Sequence, residues 1–159
     1  MACKSVWRVI WMLLGLAALG AGAASNGWSW SGRVVEIASP QVLVLTTQQG
    51  QQEVALYGVD SVPGDHPQNE AVRTKIKRLL APLDLVEVVP LSPEGGTEAH
   101  VYIEGDGENL AEELVRQGYA WVDRAACRRR ICTAWRELEA KARQDKRGLW
   151  ANPSFPPAK

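Results

Sequence analysis

Positive charge is missing from most of the middle of this 159-residue chain. No Lys or Arg occurs between Arg33 and Arg73, and none occurs between Arg78 and Arg116. These two stretches carry 14 carboxylates. Affinity for nucleic acids depends on cations that neutralise phosphates, so neither stretch predicts a phosphate-binding surface. The chain as a whole has no basic excess either, because 18 Lys and Arg balance 18 Asp and Glu.

Histidine is also scarce, with only His66 and His100 in the sequence. Neither follows or precedes a Ser or Cys in a nucleophile-elbow motif, so a catalytic triad is not predicted. We expect His66, which precedes Pro67, to lie in a solvated loop. We expect His100 to lie on the exposed face of a strand, because the residues around it alternate between apolar and polar.

The apolar run Val9–Leu19 is shorter than the roughly 20 residues that a membrane-spanning helix needs. Lys4 and Arg8 precede this run and Ala21-Gly22-Ala23 follows it. This layout predicts a secretory signal peptide over residues 1–24 and therefore export to the periplasm or beyond; an uncleaved anchor is the alternative. Cleavage would leave 16 cations against 18 carboxylates and no stable membrane span.

Three cysteines are present, and Cys3 lies within the predicted signal peptide. The remaining pair, Cys127 and Cys132, suggests a disulfide, because an exported protein meets an oxidising compartment. Residues five apart on a helix are too distant for a bridge, so pairing requires a turn or loop. Two free thiols are the alternative. A metal site is not predicted, because no second Cys or His pair accompanies this one.

Hydrophobic periodicity predicts an α+β, mainly β domain over residues 25–150, followed by a Pro-rich tail over residues 151–159. Five strands with one helix between the third and fourth have the order of an oligonucleotide-binding-type barrel with three helices. We expect Tyr119–Val122 to pack against it. The predicted strands are Arg33–Ile37, Val42–Thr47, Glu53–Tyr57, Leu83–Leu91 and Ala99–Ile103, and the predicted helices are Asn69–Leu80, Asn109–Gln117 and Thr133–Lys146.

Residue patterns also predict helix caps and core aromatics. Asn109 and Thr133 are expected to cap their helices. Trp28 and Trp30, before the first strand, are expected to pack over the end of the barrel. Three further tryptophans lie in apolar patterns and are expected in the core: Trp121, Trp135 and Trp150.

Several segments resemble the staphylococcal nuclease (thermonuclease) family over residues 32–150. The similar segments are VVEIA with VLVL, ALYGVD, AHVYIEGDGENLAEELVRQGYAWV, and a final W-x2-LE-x2-AR-x3-RGLW. The resemblance implies the family's barrel fold. It also implies an ancestry of phosphodiester hydrolysis with one Ca²⁺, which requires paired oxygen ligands, a base and cations near the phosphate.

Most of the family's catalytic residue types are absent from the matching positions. Asp60 matches the second metal carboxylate and is by itself a weak metal ligand; Asp65 and His66 are near enough in sequence to assist. The first metal carboxylate falls on Gln41, the strand arginine on Ala55, the carbonyl ligand on Ser61, the base on Pro63 and the second arginine on Gly96.

These substitutions predict a catalytically degenerate domain that acts as a binding or interaction module in the cell envelope. Its partner would be an envelope protein or an oligomeric ligand rather than nucleic acid, and no cofactor is expected. The alternative is a Ca²⁺-dependent nuclease with replacement residues, such as Asp60, Asp65 and the cluster Arg128–Arg130. This cluster is interpreted as a solvated face, with a nucleic-acid patch as the alternative. A module that binds oligosaccharides or peptides on the barrel face is a third hypothesis.

Overall fold

In a computed structural model, which describes residues 28–92, 96–153 and 155, five strands close a barrel in the order β1-β2-β3-β6-β5. Neighbouring barrel strands are antiparallel except β3 and β6, whose parallel pairing closes the ring. The described strands are β1 (Trp30–Ser39), β2 (Val42–Thr47), β3 (Gly50–Leu56), β4 (Val59–Asp60), β5 (Leu85–Pro90), β6 (Glu98–Ile103) and β7 (Trp121–Val122). The predicted barrel is confirmed, whereas the predicted signal peptide lies outside the described residues.

Alternating side chains explain why these segments form a barrel around one core. On β2, Leu43 and Leu45 are fully buried, while Val44 between them is only half-buried. The long strand β1 has irregular register after Val34 and again after Ile37. Such irregularities bend a strand, which lets β1 pair with β5 at one end and with β2 at the other.

Three helices accompany the barrel, as predicted: α1 (Asn69–Leu80), α2 (Leu110–Arg116) and α3 (Ile131–Gln144). Asn109 caps α2 by accepting a hydrogen bond from the Glu112 amide at 3.1 Å, which confirms that cap. The predicted Thr133 cap is wrong, because α3 begins two residues earlier and Arg130 already has helical backbone angles. Among the described residues, no helix is long and apolar enough to cross a bilayer.

A disulfide joins Cys127 and Cys132, with their Cα atoms 5.7 Å apart. The pairing predicted from the sequence is therefore present. Cys127 lies in the loop before α3, as expected, but Cys132 lies in the first turn of the helix. The bond thus closes a small ring that contains three consecutive arginines, Arg128–Arg130.

A short second sheet ties the barrel to the helical part of the chain. β4 pairs with β7, so that Val59 faces Val122 and Asp60 faces Trp121. Beside this pair, the Asp123 amide donates a hydrogen bond to the Gly58 carbonyl at 3.0 Å. The sequence predicted that residues 119–122 pack on the barrel, but it did not predict strand pairing there.

Gly118 and Gly148 allow the chain after α2 to pass close to the chain after α3. A Cβ atom on Gly148 would lie 2.6 Å from both the Gln117 and the Gly118 carbonyl oxygens. The Leu149 amide donates a hydrogen bond to the Gly118 carbonyl at 2.9 Å, just where a 3-10 helix (Gly148–Ala151) begins. The crossing therefore fixes the Arg147–Trp150 motif against α2.

The predicted core tryptophans lie as expected. Trp135 is fully buried, Trp121 is 9% exposed and Trp150 packs against the core from a half-buried position. The prediction for Trp28 is wrong, because its side chain is 53% exposed. Pairing of β1 with β5 begins only at Trp30, so Trp28 lies beyond the paired end of the barrel, and only Trp30 packs against the core.

Gly58, directly before the β4–β7 pair, should tolerate a side chain poorly. Its φ is +72°, and a Cβ atom there would lie 2.6 Å from the Cys127 sulfur. Gly58→Ala therefore combines left-handed backbone strain of about 1–2 kcal/mol with overpacking of about 1–3 kcal/mol. Denaturant unfolding, followed by tryptophan fluorescence, should show a loss of roughly 2–5 kcal/mol.

Gly107 is the matched control, because its φ is +68° and a Cβ atom there would have no described atom within 4 Å beyond those of its chain neighbours. Gly107→Ala should lose only the backbone contribution of about 1–2 kcal/mol. Equal losses for the two variants would show that the contact with Cys127 has no energetic weight.

Candidate functional site

Asp60, at the end of β4, lies beside Gln41, and the two occupy the positions assigned to the family's metal carboxylates. The Gln41 side-chain amide nitrogen donates a hydrogen bond to the Asp60 Oδ1 atom. The Ser61 backbone amide donates to the same oxygen at 2.8 Å. The backbone of Gln41 is held in place because its main-chain carbonyl accepts a hydrogen bond from the Leu56 amide at 2.8 Å. The fold therefore brings the two predicted positions together.

These residues do not fit a calcium ion. Calcium takes six to eight oxygen ligands, usually including several carboxylates. Here one carboxylate faces a neutral amide, and the amide presents a donor N–H group to it rather than an oxygen. Within the described parts of the chain, no cluster of three or more His, Cys, Asp or Glu residues is arranged to hold a metal ion. The arrangement satisfies Asp60 by hydrogen bonding alone.

Asp60 and Trp121 separate two clefts. The larger has a volume of about 400 Å³ and is mainly apolar. Its walls are Gln41, Asp60, Ser61, Val62, Pro63, His66, Trp121 and Phe155. An apolar cleft with a few polar groups at one end is a usual site for a small organic group.

The smaller cleft has a volume of about 280 Å³ and contains charges of both signs. Arg143 is one of its cations, but it pairs with the buried carboxylate of Glu139 and lies 4.3 Å from the centre of the Trp150 ring. Arg124, which is exposed, is the second cation lining this cleft. Sequence patterns did not indicate Arg124, because only the pairing of β4 with β7 places the segment after Val122 next to Asp60.

The other predicted site residues are distributed around this centre. Ser61 is buried, and its hydroxyl donates to the Tyr119 carbonyl at 2.8 Å. Pro63 is exposed and lines the larger cleft. Ala55 lies on β3, where its amide bonds to the Thr97 carbonyl at 2.7 Å, so the Gly96 position is adjacent to it in space. Neither Ala55 nor Gly96 supplies a charged group.

The loop after β4 contains Asp65 and His66, the two residues considered near enough to assist Asp60, and they lie in different surroundings. Asp65 is exposed and lines neither cleft. His66 lines the larger cleft; it lies in a loop, as expected, but is less solvated than predicted. It is half-buried, because its Nδ1 atom accepts a hydrogen bond from the Gln68 amide at 3.1 Å and its ring lies 5.9 Å from the Phe155 ring.

Phe155, from the C-terminal tail, closes one side of the larger cleft. Its ring lies 5.7 Å from the Trp121 ring and 5.2 Å from the Trp150 ring, measured between centroids. Tilted and edge-on aromatic contacts at such distances are favourable. The tail therefore contributes to the wall of the site, which the sequence did not predict.

Arg128, Arg129 and Arg130 belong to the disulfide ring and line neither cleft at Asp60. The Arg129 guanidinium instead lies 5.8 Å from the centre of the Tyr57 ring and donates to the Leu91 carbonyl at 3.2 Å. The structure therefore does not bring the predicted replacement cations to the predicted metal position.

His100 was expected at the surface, and this prediction is wrong. Its ring lies half-buried among three aromatic rings, 5.1 Å from Tyr57, 6.4 Å from Tyr102 and 6.3 Å from Trp135. Tyr57 and Trp135 of α3 therefore cover the His100 side chain from outside the barrel. Burial lowers the pKa of His100 below its ordinary value of 6.5, and the positive charge of Arg129 lowers the pKa further.

This lowered pKa should make the protein less stable in mild acid. Below pH 6.5 the unfolded chain binds a proton at His100 that the folded protein resists, so the free energy of unfolding should fall until the folded-state pKa is reached. Above pH 6.5 the contribution should be complete. Urea unfolding between about pH 5 and 7.5 should show a smaller acid-induced loss for His100→Gln than for the natural protein.

Arg129→Gln tests the second cause, because it removes the neighbouring positive charge and keeps His100. We expect an acid-induced loss between those of the natural protein and His100→Gln. If the natural protein and His100→Gln lose stability in parallel as the pH falls, His100 does not contribute to the pH dependence.

Comparisons with known proteins agree with this fold. A search among curated proteins gives no significant match. The model of the family described as staphylococcal nuclease homologue matches residues 53–152. These include most of β3, the β4–β7 pair with Asp60, all three helices and the Arg147–Trp150 motif. The match covers most of the chain, and the five-stranded barrel is the fold that the resemblance implies. This chain therefore belongs to the staphylococcal nuclease homologue family.

Proposed function

We propose that this protein is an exported, catalytically degenerate member of the family, which acts as a binding or interaction module in the cell envelope. The observation that carries the proposal is the hydrogen bond from the Gln41 amide to the Asp60 carboxylate. An amide at this position completes the hydrogen bonding of Asp60 and supplies no charge to bind a divalent cation.

The electrostatics of the barrel support the same proposal. Ala55 and Gly96 stand where the resemblance places phosphate-binding arginines, and no Lys or Arg lies nearby in the sequence on either side. Donors that stabilise a developing negative charge are usually the largest catalytic contribution, and losing one costs about 3 kcal/mol. Two missing guanidinium groups would therefore lower turnover by roughly four orders of magnitude.

The clefts beside Asp60 support a binding role. The larger one combines apolar walls from Val62, Trp121 and Phe155 with the polar side chains of Gln41 and Asp60. Such a site suits a ligand with an apolar body and hydrogen-bonding groups, as in a peptide or an oligosaccharide. The ligand would be held without being cleaved.

A calcium-dependent nuclease is the second candidate, and one observation favours it. Arg124 lines the smaller cleft together with Asp60, and its exposed guanidinium has no carboxylate partner among the described residues. The other carboxylates of this cleft already have partners: Asp123 accepts hydrogen bonds from the Ala125 and Ala126 amides, and Glu139 pairs with Arg143. We therefore rank this function below the binding role.

Incubation with single-stranded DNA separates the two functions. With purified protein and millimolar Ca²⁺ we expect no cleavage beyond that seen in EDTA, because the second carboxylate and both arginines are missing. Cleavage that EDTA abolishes, that Asp60→Ala removes and that Asp65→Ala retains would reject the proposal. Asp65→Ala is the matched control, since it removes a nearby exposed carboxylate that lines neither cleft.

Gln41→Asp extends the same experiment. It places a second carboxylate next to Asp60, so Ca²⁺ should raise the melting temperature of this variant by several degrees and leave that of the natural protein unchanged. An equal rise for both proteins would mean that calcium already binds the natural site or binds elsewhere.

Export is supported by two features of the chain. One is the charged, apolar and small-residue pattern of residues 1–24. The other is the disulfide between Cys127 and Cys132, since stable disulfides are rare in reducing compartments. Together they favour a location outside the cytoplasm, in the periplasm or secreted.

Mass spectrometry of the protein recovered from an exporting host tests this location. We expect a mature N-terminus near Ala23 or Ala24 and a mass two hydrogens below that of the dithiol form. A full-length protein with reduced cysteines, recovered from the cytoplasm, would contradict export.

A further inference from the structure

The cations in the C-terminal half of the described chain include two distinct groups. Four of them pair with carboxylates: Arg116 with Glu112 and Glu113, Arg143 with Glu139, and Lys141 and Arg147 with Asp145. The second group surrounds the disulfide and has no carboxylate partner among the described residues. We call this group the arginine patch: Arg128, Arg129, Arg130 and Arg136, all of them exposed.

Backbone carbonyls, rather than carboxylates, hold three of these side chains. Arg128 Nε donates to the Ala125 carbonyl at 3.0 Å, and Arg129 Nη2 donates to the Leu91 carbonyl at 3.2 Å. Arg136 Nη2 donates to the Cys127 carbonyl at 3.3 Å. Each contact uses one of the five N–H donors of a guanidinium, and a carbonyl supplies no negative charge to balance the cation. The side chains are therefore oriented while most of their donors stay available.

The backbone that carries the patch is also fixed. The disulfide closes the ring around Arg128–Arg130. Beneath the ring, the buried hydroxyl of Tyr57 accepts hydrogen bonds from the Arg128 and Arg129 amides at 3.1 and 3.4 Å. A pre-ordered surface loses little conformational freedom when it binds, which increases affinity.

The positive charge of the patch affects one neighbouring side chain, His100. Burial lowers the pKa of His100, and the Arg129 guanidinium is near enough to lower this pKa further. The three ring arginines line none of the clefts described above. A partner must therefore contact the patch across an open surface and must carry negative charge.

The surroundings of the patch disfavour nucleic acids. Single strands are usually held by bases that stack on exposed aromatic rings. The aromatic neighbours of the ring, Tyr57 and Trp135, are 5% and 0% exposed. A long polyanion lying across the patch would also approach barrel segments 34–72 and 79–115, which carry carboxylates and no Lys or Arg. A bilayer surface needs no exposed ring on which to stack, so the burial of these rings does not count against it.

We infer that the arginine patch docks the protein on a bilayer that contains anionic phospholipids. Guanidinium groups bind phosphate oxygens through paired hydrogen bonds, and cations near a charged bilayer add their attractions. The surface is distinct from the Asp60 clefts, so it does not depend on whether the domain cleaves DNA. Only its location in the cell rests on the proposed export.

Vesicle co-sedimentation tests the inference. The protein should bind vesicles of phosphatidylglycerol and phosphatidylcholine in equal parts, and about 0.5 M NaCl should weaken this binding strongly. Changing Arg128, Arg129 and Arg130 together to Gln should reduce the affinity at least about tenfold. All variants keep the same N-terminal segment, and vesicles of pure phosphatidylcholine measure any binding by that segment.

The matched control changes Lys75, Lys77 and Arg78 of α1 to Gln, which removes the same charge from another face. It should keep at least half of the affinity for the anionic vesicles. Equal losses for the two triple variants, or no binding above that to phosphatidylcholine, would overturn the inference. Tighter binding to duplex DNA than to the vesicles, lost in the ring variant, would overturn it in favour of a nucleic-acid surface. A DNA cleavage result would change none of these outcomes.

Discussion

The short pairing of β4 with β7 is the constraint on which the rest of this structure depends. It joins the barrel to the helical half, and it places Asp60 opposite Trp121. Gly58, one residue before β4, has no room for a side chain because the Cys127 sulfur packs against it. The β4–β7 pair therefore fixes Asp60, Trp121 between the two clefts, and Cys127 at the start of the disulfide ring. Packing at this place holds the barrel and the helical half together through backbone pairing and a close glycine contact.

Two faces of the molecule have separate electrostatic characters, and this separation organises the proposed functions. The barrel offers carboxylates, of which Asp60 is satisfied by an amide and a backbone N–H group. The disulfide ring offers arginines that are oriented by carbonyls and not neutralised by carboxylates of the described chain. The two characters meet beside Asp60 in the smaller cleft, through Arg124 and through Arg143, which is already paired with Glu139. The arginine patch is separate from this cleft, as suits the proposed attachment through one face and ligand binding at another.

Sequence patterns predicted the parts of this fold that depend on periodicity. The bounds of α1 agree with its apolar spacing, and Asn109 caps α2 as its residue type suggests. Patterns did not reveal what covers a strand from outside, so His100 was placed at the surface although Trp135 packs near it. They also indicated that Gln41 and Asp60 correspond to paired positions, but only the folded chain reveals the hydrogen bond between them. Arg124 and Phe155 reach the clefts through tertiary contacts between distant segments, which local patterns cannot encode.

The crossing of Gly118 and Gly148 has a consequence for how such proteins are recognised. The motifs around these glycines are among the segments that identify the family, and here their role is steric: backbone passes over backbone with no room for a Cβ atom. A match that depends on them reports a folded topology and carries no information about turnover. An assignment of nuclease activity that rests on this signature alone therefore needs separate evidence from the residues around Asp60.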